Sequence, residues 1–333
     1  MTTPPRTLLV MDPATFALQF SPSERARLAS VADLIATEAS ADFDVAQLAE
    51  AEVLITSWGC PPITDTILDA APRLRAIIHA AGSVRSLVPP DIAERGIAVT
   101  SAADLNAVPV AEFTLAAIIF AGKRALPLAQ ASRSQPSSWE ESFATGSLSN
   151  LGRTVSLVGF SRIGRRVLRL LPVLETGPVL VSDPFADGEE VRRAGASPVS
   201  LTEALSRAEI LSLHAPLLPS TRLMLGAEEL ALLPDGATVI NTARGGLVDH
   251  EALLRECASG RIDAILDVTD PEPLPRDHPL LSLPNVTVTP HIAGSLGNET
   301  HRLAHFAIDA LAAHAAGQEL PGMLSLDASQ VSA

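Results

Sequence analysis

Three polar residues in the second half of the chain each follow a short apolar run that is typical of a buried strand. Arg244 follows Thr238–Asn241, Glu272 follows Ala264–Leu266, and His291 follows Val286–Thr289. In sheets built from parallel strands, ligands bind outside the carboxyl ends of the strands. We therefore expect these three side chains to share one edge of a sheet.

An arginine, a carboxylate and a histidine at one place suit the oxidation of a 2-hydroxy acid. A hydride leaves C2 while the hydroxyl proton passes to a base, and histidine suits that role near neutral pH. A carboxylate such as Glu272 stabilises the imidazolium. Arg244 can pair with the substrate carboxylate and polarise the carbonyl in the reverse direction. Singly, each residue also fits a structural role, so their placement after successive strands is what predicts catalysis.

The element that opens this half of the chain is a strand, a tight turn and a helix. After Val155–Val158 comes Gly159-Phe160-Ser161-Arg162-Ile163-Gly164, a G-x-S-x-x-G pattern in which Ser161 replaces the usual middle glycine. Gly159 permits the turn and Gly164 permits close packing of helix on strand. We predict that this turn, with the helix N-terminus at Arg162 and Ile163, binds the pyrophosphate of a dinucleotide.

Asp183 follows the next predicted strand, Val179–Ser182. A carboxylate there can accept hydrogen bonds from the adenosine ribose and repel a 2′-phosphate, so NAD is favoured over NADP. The glycine pattern alone is weak evidence, since such turns are common, and Asp183 strengthens it.

Apolar runs alternate with helical segments along the whole chain, which predicts parallel α/β units. In the first lobe, the predicted strands are Thr7–Met11, Val53–Thr56, Ala76–His79 and Ile97–Thr100, and the predicted helices are Ser23–Ala36, Thr64–Ala71 and Pro90–Arg95. We predict six strands in the second lobe. Three of them precede Arg244, Glu272 and His291, and the other three are Val155–Val158, Val179–Ser182 and Ile210–His214. We also predict a long apolar helix over 108–125 capped by Asn106, a loop over 132–150, and a final helix over 298–315.

This pattern predicts two doubly wound α/β domains. We expect residues 103–292 to form a Rossmann NAD-binding domain, and residues 1–102 with 293–333 to form a discontinuous, flavodoxin-like substrate domain. The formal net charge of −14 argues against nucleic-acid and anionic-membrane partners. The two cysteines, and the pair His301 and His305, match no metal-site spacing. We predict a cytoplasmic protein without a bound metal.

These segments resemble the NAD-dependent D-2-hydroxyacid dehydrogenase family. The matching segments are 106–112, 213–217 with Thr221, 241–249, 267–274 and 289–294. The resemblance implies that Arg244 binds the substrate, that His291 is the acid/base and that Glu272 is its partner. It further implies a homodimer and a set of cofactor contacts at His214, Pro216, Thr221, Thr242, Ala243 and Asp267, with Asp267 on the nicotinamide carboxamide.

The predicted substrate loop departs from the family pattern of Gly-x-Gly followed by an acidic residue. Here the loop contains Gly82, Ser83, Val84 and Arg85. Backbone N–H groups near Gly82–Val84 can still hold a small anionic 2-hydroxy or 2-keto acid. Arg85 adds a positive charge. Either it favours a substrate with a second anionic group, or it is a surface arginine that faces solvent.

Two alternatives stay open at this point. A formate dehydrogenase on the same fold needs no carboxylate-tuned base and carries glutamine beside its histidine, so Glu272 argues against it. A non-catalytic, NAD-sensing interaction protein can retain the same three residues, although the acidic charge and the absence of a basic cluster disfavour it.

Overall fold

Buried apolar strands build two parallel sheets in the computed structural model, which describes residues 3–134, 138 and 148–323. The chain divides into two units. Unit 1 comprises Met1–Ala107 with Ser295–Ala333, and unit 2 comprises Val108–Gly294.

The sheet of unit 1 has five parallel strands in the order β2-β1-β3-β4-β5, which is the flavodoxin-like order. The strands are β1 Arg6–Val10, β2 Asp33–Leu34, β3 Val53–Thr56, β4 Ala76–His79 and β5 Ala98–Ser101. The helices are α1 Pro13–Gln19, α2 Pro22–Val31, α3 Val45–Leu48, α4 Asp65–Asp69 and α12 Thr300–Ala315, with 3₁₀ turns at Ile92–Arg95 and Gly297–Glu299. Helix α12 packs against α1, α2 and β4.

Several short elements of unit 1 differ from the expectation. The predicted helix Pro90–Arg95 is a 3₁₀ turn over Ile92–Arg95, and helix α3 was not predicted. The predicted helix Ser23–Ala36 ends at Val31, because Ala32 is extended and Asp33–Leu34 pairs with β1 as an edge strand. A two-residue strand is too short to produce a periodic pattern. Helix α1 was not predicted, although Asp12 caps it and Pro13 occupies its first turn.

The sheet of unit 2 has seven parallel strands in the order β12-β11-β10-β9-β6-β7-β8. The strands are β6 Val155–Val158, β7 Val179–Ser182, β8 Ser197–Pro198, β9 Ile210–Leu213, β10 Thr238–Asn241, β11 Asp263–Leu266 and β12 Val286–Val288. From β8 to β11 this is the Rossmann order, and β12 extends it. The prediction of six strands omitted β8, an edge strand whose second residue is a proline.

The helices that begin in or near unit 2 pack on this sheet or connect its strands. They are α5 Ala103–Lys123, α6 Ala125–Ser134, α7 Arg162–Leu170, α8 Gly188–Arg193, α9 Leu201–Arg207, α10 Ala227–Ala231 and α11 His250–Ala258, with 3₁₀ turns at Leu171–Val173, Gly245–Leu247 and Pro279–Ser282.

Helix α5 begins earlier than predicted. Leu105 and Asn106 already donate backbone hydrogen bonds to Ala102, so Asn106 lies inside the helix rather than at its cap. Its side chain instead accepts the N–H of Ser295. By length and composition alone α5 could cross a membrane, but half of its most hydrophobic stretch is buried within the protein, as in a core helix.

The predicted loop over 132–150 is only partly described. Its first residues continue helix α6 to Ser134, and residues 135–137 and 139–147 lie outside the described residues. Between α5 and α6, Arg124 has a left-handed backbone, with a φ of 47°, and its guanidinium makes two hydrogen bonds to the buried carboxylate of Asp263.

Candidate active site

Strands β10, β11 and β12 are neighbours in the parallel sheet of unit 2, so their carboxyl ends meet at one edge. The segments that leave these strands carry Arg244, Glu272 and His291, respectively. The structure brings the three predicted catalytic residues to one edge of one unit. Their catalytic roles stay predictions.

His291 and Glu272 form a direct pair at this edge. His291 Nδ1 lies 2.5 Å from Glu272 Oε1, and about half of each side chain is exposed, at 50% and 40%. An ionised carboxylate can only accept a hydrogen bond, so Nδ1 carries the proton and donates it. The other ring nitrogen, Nε2, is therefore the atom available for a ligand.

Arg244 is fixed by the turn that follows β10. The side chain of Asn241 donates to the carbonyl of Arg244 and accepts the N–H of Ala243, which closes the turn. Gly245 then packs so tightly on the backbone of Thr269 that a Cβ would lie 2.0 Å from its carbonyl carbon. This close approach brings the Arg244 segment against the segment that leads to Glu272.

The electrostatics of Arg244 reflect its position. Desolvation lowers the pKa of Arg244 below the usual value of arginine, and the negative charge of Glu272 opposes that shift. Because guanidinium groups stay protonated in proteins, Arg244 is an exposed cation that lies close enough to Glu272 to be affected by its charge. Such a group is suited to binding a carboxylate.

Asp267, at the end of β11, is buried and accepts three hydrogen bonds from residues 289–293. The donors are Thr289 Oγ1, Ile292 N and Ala293 N. The resemblance had implied a cofactor contact for Asp267. The hydrogen bonds that Asp267 accepts from the His291 segment could not be predicted, because no local sequence pattern indicates them.

The turn after β6 has the geometry of a phosphate-binding turn. Gly159 has a φ of 102°, and a Cβ there would lie 2.6 Å from the backbone of His214 and Ala215. A Cβ on Gly164 would lie 2.2 Å from the carbonyl oxygen of Gly159. Both glycines are therefore needed for the backbone to take this path.

Ser161, the departure from the usual fingerprint, is the N-cap of α7. Its hydroxyl accepts the N–H of Gly164 at 3.3 Å. Arg162 and Ile163 form the first turn of the helix, where N–H groups have no intrahelical partner and the helix dipole is positive. The serine thus preserves the helix start that a pyrophosphate requires.

Asp183 lies against the same turn. Its two carboxylate oxygens accept the N–H of Phe160 at 2.7 Å and the N–H of Phe185 at 2.9 Å. The carboxylate that was predicted to bind ribose is thus held beside the phosphate-binding turn. Phe185 itself is 91% exposed.

The other predicted cofactor residues belong to two neighbouring loops. Burial lowers the pKa of His214 to about 3, so its ring is neutral, and Nε2 lies 3.0 Å from Ser212 Oγ. Its Nδ1 has no hydrogen-bond partner among the described residues. Thr221 closes its loop by donating to the carbonyl of Pro216. Thr242 contacts Thr114 through their hydroxyls, and Ala243 is buried.

The predicted substrate loop lies in unit 1, after β4. Val84 is buried, Ser83 is exposed and accepts the N–H of Arg85, and desolvation lowers the pKa of Arg85. The start of the loop is held by Gln19 and Ser57, which both donate to the carbonyl of Ala80. Sequence reasoning missed Gln19 and Ser57, because nothing in the local pattern connects them to the loop.

The residues of unit 2 fit a bound dinucleotide. A turn that excludes any Cβ, an open helix N-terminus and an acidic strand end are the three parts of a dinucleotide site. Among the described residues, no group of three or more His, Cys, Asp or Glu is placed to hold a metal ion.

Comparison with known proteins identifies the family. Residues 115–293 match the model of the D-isomer specific 2-hydroxyacid dehydrogenase, NAD binding domain. The chain is 34% identical to D-3-phosphoglycerate dehydrogenase of Methanocaldococcus jannaschii, over 75% of this chain and 47% of that protein. It is 31% identical to glyoxylate/hydroxypyruvate reductase B of Yersinia enterocolitica, over 81% of this chain and 82% of that protein.

A solved structure agrees with these relatives. The D-lactate dehydrogenase of Aquifex aeolicus, complexed with NAD and lactic acid, is 25% identical, has a TM-score of 0.74, and is matched over 93% of this chain and 96% of that one. The chain spans about half the length of the phosphoglycerate dehydrogenases that it matches. The chain belongs to the D-isomer specific 2-hydroxyacid dehydrogenase family, and residues 115–293 are the NAD-binding domain of that family.

Proposed function

We propose that this chain is an NAD(H)-dependent oxidoreductase that acts at C2 of a small 2-hydroxy or 2-keto acid. The observation that carries the proposal is the 2.5 Å contact between His291 Nδ1 and Glu272 Oε1, with Arg244 on the neighbouring strand end. Bound NAD(H) supplies or accepts the hydride. The names of the relatives, which include a glyoxylate/hydroxypyruvate reductase, support this substrate class.

In the proposed reduction, His291 Nε2 donates a proton to the carbonyl oxygen of the keto acid as C2 gains the hydride. In the oxidation, the same nitrogen accepts the hydroxyl proton. Glu272 keeps the proton on Nδ1 and stabilises the imidazolium when both nitrogens are protonated. The proton that His291 donates or accepts is exchanged with solvent, which its half-exposed ring can reach.

Arg244 has two roles in this proposal. Its guanidinium pairs with the carboxylate of the substrate, and it stabilises negative charge on the C2 oxygen in the transition state. Gly82, Ser83 and Val84 are proposed to hold the acid end of the substrate through backbone N–H groups. The choice of NAD rather than NADP depends on the carboxylate of Asp183.

The proposal is tested by adding NADH to the purified chain with glyoxylate, pyruvate, hydroxypyruvate or oxaloacetate and following its absorbance. We expect turnover with at least one acid. His291→Asn should lower kcat by about 10²- to 10⁴-fold, the usual contribution of a general acid/base. Asparagine tolerates the left-handed backbone of His291, so the fold of the loop is retained.

The matched control is His278→Asn. His278 is partly buried and caps a 3₁₀ turn, and asparagine can take over that cap, so the substitution should preserve the local structure. This variant should keep its activity. Tight NADH binding without turnover of any acid would favour the sensor alternative, and oxidation of formate with NAD would favour the formate alternative. Equal activity of wild type and His291→Asn would remove His291 from the proposal.

A further inference from the structure

We propose that Asp267 is a positioning residue, which holds His291 in its orientation through the backbone of residues 289–293. This inference rests on the proposed function, in which His291 transfers the proton. It gives Asp267 a different role from the cofactor contact that the family resemblance implies.

The carboxylate of Asp267 is occupied by the segment that carries His291. Oδ1 accepts from Thr289 Oγ1 at 2.6 Å and from Ile292 N at 2.8 Å, and Oδ2 accepts from Ala293 N at 2.9 Å. Asp267 is only 1% exposed. Hydrogen bonds to an ionised acceptor are stronger than neutral ones, and more so away from water.

The backbone of Asp267 adds to this arrangement. Its carbonyl accepts the N–H of His291 at 2.9 Å, and its own N–H donates to the carbonyl of Asn241 on β10. One residue at the end of β11 therefore connects the sheet to the residues on both sides of His291.

The conformation of His291 shows why such restraint is needed. Its φ of 55° lies in the left-handed region, which is unfavourable for a non-glycine residue. Such a conformation persists only where the surrounding structure determines it. Ile292 is 39% exposed, and Glu272 contacts the ring of His291 rather than its backbone, so the hydrogen bonds to Asp267 are the main polar restraint on this backbone among the described contacts.

An amide of the same shape cannot replace this carboxylate. In Asp267→Asn, one side-chain atom is an NH₂ donor, and it faces either Ala293 N–H or Ile292 N–H whichever way the amide is turned. One backbone donor is left opposite another donor. The segment is then free to relax toward an ordinary backbone conformation, which moves the ring of His291.

The test compares wild type with Asp267→Asn in the full chain. We expect kcat to fall between about 10-fold and 100-fold, the effect of misplacing a reacting group. The primary isotope effect on kcat should rise with NADH deuterated at the transferred position. The Kd of NADH, measured by fluorescence, should stay within about twofold.

Other results would overturn the proposal. An increased Kd for NADH with unchanged kcat at saturation would make Asp267 a cofactor contact. A lower melting temperature with unchanged isotope effect and KM would make it merely structural.

Two matched variants on the same strand and loop refine the test. Thr289→Val removes one donor to Asp267 and should lower kcat by less than Asp267→Asn does. Thr287→Val, on β12, changes a similar side chain that is not a donor to Asp267 and should leave kcat unchanged. If both variants behave alike, the hydrogen bond from Thr289 plays no part.

A further measurement does not depend on turnover. Amide hydrogen exchange at Ile292 and Ala293 in the cofactor-free protein should be faster in Asp267→Asn than in wild type. If wild type reduces no keto acid, the proposed function fails, and this exchange still tests the restraint. Unchanged exchange would refute it.

Discussion

At the scale of single residues, Arg85 is the clearest departure from the family pattern. It follows Ser83 and Val84 in the predicted substrate loop, where the family usually carries an acid. Desolvation lowers the pKa of Arg85, but an arginine stays cationic at neutral pH. The loop therefore adds positive charge where a substrate anion is expected.

We propose that Arg85 favours a substrate with a second anionic group. Arg85→Ala should lower kcat/KM for a dianionic keto acid such as oxaloacetate by about 10-fold to 100-fold, since a hydrogen bond to a charged group contributes about 1.5–3 kcal/mol. For a monoanionic acid such as pyruvate, kcat/KM should stay within about twofold. The control is Arg73→Ala, which removes an exposed arginine paired with Glu52 before β4. Equal losses with both acids, or none, would contradict the idea.

At the scale of elements, the turn between β6 and α7 depends on a glycine for two separate reasons. Gly159 has a left-handed backbone, and its Cα also faces the backbone of the 214–215 segment without room for a Cβ. Gly195, after α8, has a similar φ of 93°, but a Cβ added there would meet no atom within 4 Å. Alanine variants of Gly159 and Gly195 therefore distinguish the effect of backbone strain from the effect of a steric clash.

Gly159→Ala should weaken NADH binding by more than about 10-fold, because the turn must move away from the segment at His214. Gly195→Ala should lose only the roughly 1–2 kcal/mol of left-handed strain in thermal stability and bind NADH as wild type does. Fluorescence titration and thermal unfolding measure both effects. Equal NADH affinity of the two variants would mean that this turn does not hold the cofactor.

Five central strands could be predicted to the residue, the central strands β1, β9 and β11 to within one residue at each end, and the two-residue edge strands not at all. Val53–Thr56, Ala76–His79, Val155–Val158, Val179–Ser182 and Thr238–Asn241 have the bounds expected from sequence. A parallel strand that is buried on both faces is a continuous apolar run, which is visible locally. The two-residue strands β2 and β8 pair at sheet edges and have no such run.

The candidate site could be predicted in part. Arg244, Glu272 and His291 follow strand ends, so the parallel order of β10, β11 and β12 was enough to expect them at one edge. The supporting contacts are not visible in sequence. Asp267 reaches Ala293 across 26 positions, and Gln19 reaches Ala80 across 61, and only the folded chain brings these groups together.

At the scale of the whole molecule, each unit buries a neutral histidine. In unit 1, burial lowers the pKa of His79 to about 4, and its Nδ1 lies 2.9 Å from Thr56 Oγ1. In unit 2, burial lowers the pKa of His214 to about 3. Both histidines titrate near 6.5 in the unfolded chain.

These histidines predict a loss of stability in mild acid. As pH falls below 6.5, the unfolded chain binds a proton that folded His79 refuses until about pH 4, so the free energy of unfolding decreases through that window. At 1.36 kcal/mol for each pH unit, His79 accounts for about 3 kcal/mol. Denaturant unfolding of a chain that carries Trp139→Phe measures it, because its tryptophan fluorescence then comes from Trp58 in unit 1.

His79→Gln should make the free energy of unfolding of unit 1 less dependent on pH between 6.5 and about 4. Carboxylates act at lower pH, because hydrogen bonds lower the pKa of Glu24 and of Glu52 from 4.5. Their stabilisation is present above 4.5 and is lost below it. His278→Gln, in unit 2, is the control and should leave the profile of unit 1 unchanged. An unaltered slope in His79→Gln would contradict the assignment.

The predicted homodimer and the predicted cytoplasmic location concern the whole molecule too, and both stay predictions. The formal net charge of −14 suits a protein that attracts no polyanion.

Unit 1 takes its last helix from beyond the whole of unit 2. Ala304, Ala307, Ile308 and Leu311 of α12 share an apolar core with Leu9, Ile55 and Ile78 of the first sheet. About 200 residues separate β5 from α12, and a ribosome adding roughly 5–20 residues per second needs on the order of 10–40 s to make them. During biosynthesis the part of that sheet face which α12 covers therefore stays exposed beside α1 and α2, and a chaperone that shields nascent apolar surface has this interval in which to act.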